Sequence, residues 1–225
     1  MTFRNRLQYL LVKKLQISNK RALEIILNKE VMLNGTPVSE NLIIEASDEV
    51  IYQGEVLKEG KKMVYYAYYK PRGIETTLNP EIADNLKDIL PFEEPVFPVG
   101  RLDKASEGLL ILTNDGSFFD KTLRKEHQTE KEYLVKTDKI IDEHFISLMA
   151  GGITIMGKMT LPCRVFKIDE HTFSIILVQG LNRQIRRMCY KLHYEVTELI
   201  RIRVGNVLLE DLKPGEFRDL GSKPV

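Results

Sequence analysis

Residues 100–116, GRLDKASEGLLILTNDG, constrain this chain more than any other stretch. From Gly108 the sequence runs Gly-Leu-Leu-Ile-Leu-Thr and stops at Asn-Asp-Gly, a turn signal. A short continuous apolar run bounded by turn residues predicts a buried strand. The charged Arg-Leu-Asp triplet in front of it then lies at the rim of a core. An ionised carboxylate is costly there unless it is paired. Asp103 is therefore either the ion-pair partner of Arg101 or a group held for chemistry.

The rest of the chain reads as two parts. Phe3, Leu7, Leu10 and Leu11 recur at helical spacing, and Ser18 offers an N-cap for a second helix through Leu23, Ile26 and Leu27. "VMLNGTPV" carries Asn34-Gly35 as a hairpin turn signal, and "DEVIYQGEVL" predicts a further strand. Residues 1–58 thus form a helix, helix, hairpin unit, too small to be more than marginal alone. "KEGKK" at 58–62 is the linker candidate. From Met63 onward strands dominate. "VYYAYYKPRG" alternates at first and ends in a turn. "EKEYLVKT" alternates, with Tyr133 and Val135 on one face. "TFSIILVQG" predicts a buried strand, "LNRQIRRMCYKLHYEV" a helix and "TELIRIRVGNVLL" a strand. The expected class for residues 63–225 is α+β, a largely antiparallel sheet with flanking helices.

With 225 residues, 43% hydrophobic and 29% charged, the chain is ordinary for a soluble protein. No apolar run approaches the eighteen or so residues of a membrane span, and the first apolar run is interrupted too soon for a signal peptide. A cytoplasmic location is expected, with no membrane partner. Cys163 and Cys189 stand far apart without a CxxC pair, so neither a disulfide framework nor a zinc site is expected. His127, His144, His171 and His193 show no paired pattern, and no Gly-rich phosphate loop or metal-ligand cluster is visible. No metal or cofactor is expected.

The net charge of +1 says little about partners, but its distribution says more. Residues 1–30 hold Arg4, Arg6, Lys13, Lys14, Lys20, Arg21 and Lys29 against Glu24 and Glu30. Residues 181–203 hold Arg183, Arg186, Arg187, Lys191, Arg201 and Arg203 against Glu195 and Glu198. Two basic clusters in a nearly neutral chain suit a polyanion, although solvated helix faces would look the same. In the second cluster Ile185, Met188, Cys189 and Leu192 make a core-facing stripe. At about 100° per residue, Arg183 and Arg187 fall on the solvent side and Arg186 and Lys191 at the borders. One helix can then offer an arginine to a half-buried pocket and other cations to an outside partner.

"GRLDKASEGLLILTNDG", "EKEYLVKT" and "VQGLNRQIRRMC", in this order, resemble the RsuA/RluB/RluE/RluF family of pseudouridine synthases. "LVQGLNRQIRRMC" with "HQTEKEYLVKTDK" is most similar to the RluF branch, which modifies large-subunit (23S) ribosomal RNA. Ser106 stands where threonine is usual. The first sixty residues resemble the alpha-L RNA-binding domain shared with a small-subunit ribosomal protein, on the paired helices, "SNKRA" and the "VMLNG" hairpin. Asn19-Lys20-Arg21 and Lys29-Glu30 depart from that domain's usual second arginine and glycine.

The resemblance implies the pseudouridine synthase fold over 63–225 and the isomerisation of a uridine in ribosomal RNA without a cofactor. It makes Asp103 the catalytic aspartate, Tyr133 the active-site tyrosine and Arg186 the arginine that pairs with the aspartate, with Leu199 near the base. Arg4, Arg6, Lys20, Arg21, Arg101, Arg183, Arg187 and Lys191 are the expected RNA contacts. The reaction needs such groups. A carboxylate can attack C1′ or remove the 2′ proton, and the sequence leaves both routes open. An aromatic face can stack on an extruded base. A monomer is the expected state. Whether transfer RNA is a second substrate stays open, as does a catalytically silent ribosomal-RNA-binding or assembly factor on the same fold. A pure binder would have no need of the Asp103, Tyr133 and Arg186 set.

Overall fold

The computed structural model describes residues 3–92, 94–118, 129–221 and 223–224. The chain divides into two compact units, Met1–Met63 and Val64–Val225.

The first unit holds helices α1 (Leu7–Leu15) and α2 (Asn19–Leu27). Ser18 caps α2, its hydroxyl accepting from the Arg21 amide at 3.2 Å. A small antiparallel sheet follows, of β1 (Val31–Leu33), β2 (Thr36–Val38), β3 (Val50–Tyr52) and β4 (Glu55–Lys58), in the order β2-β1-β3-β4. Asn34 and Gly35 both take positive φ, at 51° and 75°, as a two-residue hairpin of this twist requires. The stretch read as one strand at 48–57 is instead a second hairpin, β3–β4, turning at Gln53 and Gly54 with φ of 52° and 83°. The core is Leu7, Leu11, Ala22, Ile25, Ile26, Val31 and Val50. On α2 the buried set is thus 22, 25 and 26. That leaves Leu23 and Leu27 about a hundred degrees round the helix and exposed.

The second unit is built on one mixed sheet. Its strands are β5 (Tyr65–Lys70), β6 (Phe97–Val99), β7 (Glu107–Thr113), β8 (Lys131–Thr137), β11 (Arg164–Lys167), β12 (Thr172–Leu177), β13 (Val196–Val204), β14 (Val207–Leu208) and β15 (Phe217–Asp219). The order is β11-β12-β8-β13-β7-β5-β15, with β14 on β13 and β6 on β7. The β13–β7 pair is parallel, while β8 runs antiparallel to both β12 and β13. A separate hairpin, β9 (Thr154–Ile155) with β10 (Lys158–Met159), follows helix α3 (Glu143–Gly151). Helix α4 (Gln184–Lys191) is shorter than the periodicity predicts. It starts from a left-handed Arg183 (φ 52°), and His193 is left-handed again (φ 67°) just past its end. One core cluster gathers Val135, Phe145, Met149, Phe173, Ile175, Ile185, Met188 and Leu199 from the sheet and both helices. Another gathers Tyr66, Tyr68, Leu86, Val96, Leu110 and Leu112. The class is α+β. No helix among the described residues is long and apolar enough to cross a membrane.

Candidate active site around Asp103

The apolar run at 108–113 is the predicted buried strand, most of β7, and Asp103 sits in the loop that feeds it. Every carbonyl from 101 to 105 accepts a hydrogen bond. Arg201 Nη1 donates to Arg101 at 3.4 Å, and the Thr76 hydroxyl donates to Leu102 at 2.7 Å. The Ser106 amide donates to Asp103 at 3.0 Å and the Gly73 amide to Lys104 at 2.7 Å. Arg186 Nη2 donates to Ala105 at 2.9 Å. A loop pinned at four of these residues by distant parts of the chain, and at Asp103 by its own turn, has little freedom to move. It presents a single carboxylate side chain, 30% exposed, and such rigid support is what a reacting group needs.

The ion pair of this carboxylate is with Arg183, Nη1 lying 4.0 Å from Asp103 Oδ2. Neither expected partner fills that role. Arg101 is exposed and lends the loop its carbonyl. Arg186 donates to the Val196 carbonyl (2.9 Å), the Ala105 carbonyl (2.9 Å) and the Ser106 hydroxyl (3.4 Å). It therefore staples the Asp103 loop to the start of β13, and acts on Asp103 only through space. Burial pulls the Arg186 pKa down, the Arg183 and Arg72 charges push the same way, and Asp103 pushes back. The exchange of roles has a local cause. Helical geometry puts Arg183 on the solvent side, but Arg183 precedes the first turn in left-handed conformation, so the helical angle does not apply to it. Holding a non-glycine residue there costs on the order of 1 kcal/mol. Arg187, half-buried, braces the turn by donating to the Asn182 carbonyl at 3.0 Å and its side-chain oxygen at 3.2 Å.

Tyr133 and Leu199 lie on the sheet. Tyr133 on β8 stands opposite Ile175 of β12 and Arg201 of β13, and packs on the cluster that holds Leu199. Opposed residues of paired strands share a face, so Tyr133 and Arg201 are neighbours there. Arg201, one of the cations of the 181–203 cluster, is only 3% exposed. Its Nε donates to Leu109 at 2.7 Å, so its guanidinium spans from the loop before Asp103 to the strand after it. Its backbone crowds Gly108, where a Cβ would meet the Arg201 carbonyl oxygen at 2.4 Å.

Lys70 was also missed. It is fully buried, donating to the carbonyls of Pro71 and Ile74 at 2.8 and 2.7 Å. Burial pulls its pKa to about 8, against the opposing pull of Glu75, Glu107 and Asp103. The "YYKPRG" run carried a signal for it, a lysine that continues an apolar strand into a turn.

Around the loop the rim is cationic. Arg72, Arg101, Lys104 and Arg183 are exposed there, and Lys191 is exposed at the far end of α4. Arg72 donates to the Thr197 carbonyl at 3.3 Å, and Lys104 pairs with Asp84 at 3.0 Å. Arg203 is spent internally on Glu130 and Glu132. Arg4, Arg6, Lys20 and Arg21 are exposed on the first unit, where Arg6 donates to the Asn41 carbonyl and Arg21 pairs with Glu24. The thiols of Cys163 and Cys189 are pushed up by burial to about 11 and 12, which makes them poor nucleophiles. Among the described residues no group of three or more His, Cys, Asp or Glu side chains could hold a metal ion. His127 lies outside them.

The sequence model of the RNA pseudouridylate synthase family matches residues 64–191. The chain is 43% identical over 205 residues to the dual-specificity RNA pseudouridine synthase RluF of Escherichia coli K12, covering 90% of this chain and 71% of that protein. It is 30% identical over 227 residues to the ribosomal large subunit pseudouridine synthase B of Bacillus subtilis, covering 96% and 91%. A crystal structure of a pseudouridylate synthase superposes with a TM-score of 0.65 at 27% identity, over 96% of this chain and 95% of that one.

Proposed function

The chain belongs to the RNA pseudouridylate synthase family, an isomerase family acting on RNA, and from that premise we propose that it converts a uridine of large-subunit ribosomal RNA to pseudouridine with Asp103 as the catalytic carboxylate. The observation that carries the residue assignment is the Asp103 loop. It holds one carboxylate in a fixed, partly open position inside a cationic rim. The substrate class rests on the relatives named for large-subunit modification and for dual specificity. The first unit, as an alpha-L domain, adds RNA affinity, and the protein works as a cytoplasmic monomer.

In this reading the target nucleotide leaves its helix and the base stacks on Tyr133, a contact worth about 1–3 kcal/mol, with Leu199 against the base. The bond from uracil N1 to C1′ breaks, the base turns while still held, and C5 bonds to C1′. Loss of the C5 proton and gain of one at N1 complete the isomerisation. Asp103 serves either by attacking C1′ or by taking the 2′ proton. Arg183 offsets the cost of holding the carboxylate away from bulk water, and Arg186 fixes the loop that carries it.

Mapping pseudouridines in an unmodified large-subunit ribosomal RNA transcript and in unmodified transfer RNA, with and without the purified protein, tests the proposal. One new pseudouridine in the ribosomal transcript is expected. A second in transfer RNA would extend the substrate to both. Conversion of neither RNA, with the protein folded and bound, would favour the silent binding factor instead.

A further inference from the structure

The outer face of α4 carries an aromatic ring that folding does not use. Tyr190 is 77% exposed, more than any other large hydrophobic side chain among the described residues. Its ring has no aromatic neighbour and its hydroxyl no hydrogen bond among those residues. It faces away from Ile185, Met188 and Cys189, the buried side of the helix. At about 100° per residue it lies roughly 60° from the Arg187 direction. Along the axis it stands about 4.5 Å beyond Arg187 and about 9 Å beyond Gln184, the first residue of the helix. Arg183, which immediately precedes α4, is the residue in ion-pair contact with Asp103, so the helix starts beside that carboxylate and carries the ring near its far end.

We propose that Tyr190 stacks on an RNA base flanking the target uridine, making the outer face of α4 a contact that holds RNA by charge at its Asp103 end and by a ring at the other. This rests on the functional reading above. The axial offset puts the ring too far from Asp103 to meet the reacting base, so its occupant is a neighbouring nucleotide. Cations interleaved with an aromatic face suit single-stranded nucleic acid, because every base offers a π-face and every linkage a phosphate. A protein partner fits less well, since Arg187 and the exposed Lys191 flank the ring with like charge that an interface core excludes.

Stacking and phosphate contacts leave different signatures. Tyr190→Ala should weaken binding of an unmodified large-subunit ribosomal RNA transcript about five-fold or more while leaving the slope of log affinity against log salt unchanged. Arg187→Ala should flatten that slope by about one phosphate's worth. The chain has no tryptophan, so Tyr190→Trp installs a single emitter whose fluorescence should be quenched when the transcript binds. Wild-type affinity for Tyr190→Ala overturns the proposal, as does a flattened salt slope in that variant or unchanged emission from the RNA-bound Tyr190→Trp protein. Pseudouridine yield of the wild-type protein on the same transcript is a separate readout. Its absence sinks the isomerase reading, while the binding and emission data still decide whether the ring meets RNA.

Discussion

At Lys70 the chain removes an ammonium from water and gives it two carbonyls, but no carboxylate within ion-pairing distance among the described residues. Burial holds its pKa at about 8, against about 10.4 in an unfolded chain. As pH rises, the folded protein releases this proton first. Between those two values the unfolded state binds more protons, so the contribution of Lys70 to stability increases with pH across the window. Denaturant melts from pH 7.5 to 10 should therefore show the wild type gaining on Lys70→Met as pH rises; a difference that stays flat contradicts the burial argument. Arg186 gives a second test at this scale. Arg186→Ala leaves the Ala105 and Val196 carbonyls without their guanidinium donor, costing on the order of 1–3 kcal/mol, and should slow turnover of bound RNA. Arg187→Ala should chiefly weaken binding. Single-turnover rates at saturating enzyme separate the two, and a pure affinity loss in both would remove Arg186 from the site. The places of Asp103 before a buried strand and of Tyr133 on a strand were legible because the apolar run and the alternation mark those strands, whereas the pairing expected of Arg186 falls to Arg183. Lys70 and Arg201 were not legible, because charged side chains are almost never fully buried and pattern reading sends them to the surface.

Among the elements, the β7–β13 pair carries most of the site. Gly108 has φ 106°, and a Cβ there would press on the Arg201 backbone nitrogen and oxygen at 2.6 and 2.4 Å. Neither the conformation nor the space suits a side chain, and backbone atoms in a sheet cannot step aside. Gly108→Ala should cost at least about 2 kcal/mol, read as a lowered denaturant midpoint; a midpoint within error of wild type would mean that the two strands are not this close. The strand at 108–113 could be read from its apolar run because a buried strand needs nothing else. Its parallel partner could not, since the pairing joins Gly108 to Arg201 across the sequence and no local pattern encodes that. The donors of the Asp103 loop were hidden for the same reason, lying 26, 81 and 100 residues away for Thr76, Arg186 and Arg201. Helix α4 was overestimated because its periodicity continues past the left-handed His193 that follows its last turn.

Taken whole, the molecule carries exposed cations in two compact units, which the proposed function uses for binding and for chemistry respectively. Replacing Arg4, Arg6, Lys20 and Arg21 together by glutamine should weaken binding of ribosomal RNA and lower the salt slope by up to about three, while the rate of converting bound substrate stays near wild type. An unchanged slope would show that the first unit does not meet phosphate. In the proposed function Asp103 is held for chemistry and not for stability, and one substitution separates the two. Asp103→Asn keeps the size of the side chain and most of its hydrogen bonding but removes its charge and its power as nucleophile or base. The decisive measurement is single-turnover pseudouridine formation by Asp103→Asn at saturating enzyme, with Tm and RNA affinity taken on the same preparation. A folded protein that binds the RNA and forms no detectable pseudouridine is expected; substantial turnover by a well-folded Asp103→Asn variant would show that the carboxylate is scaffold.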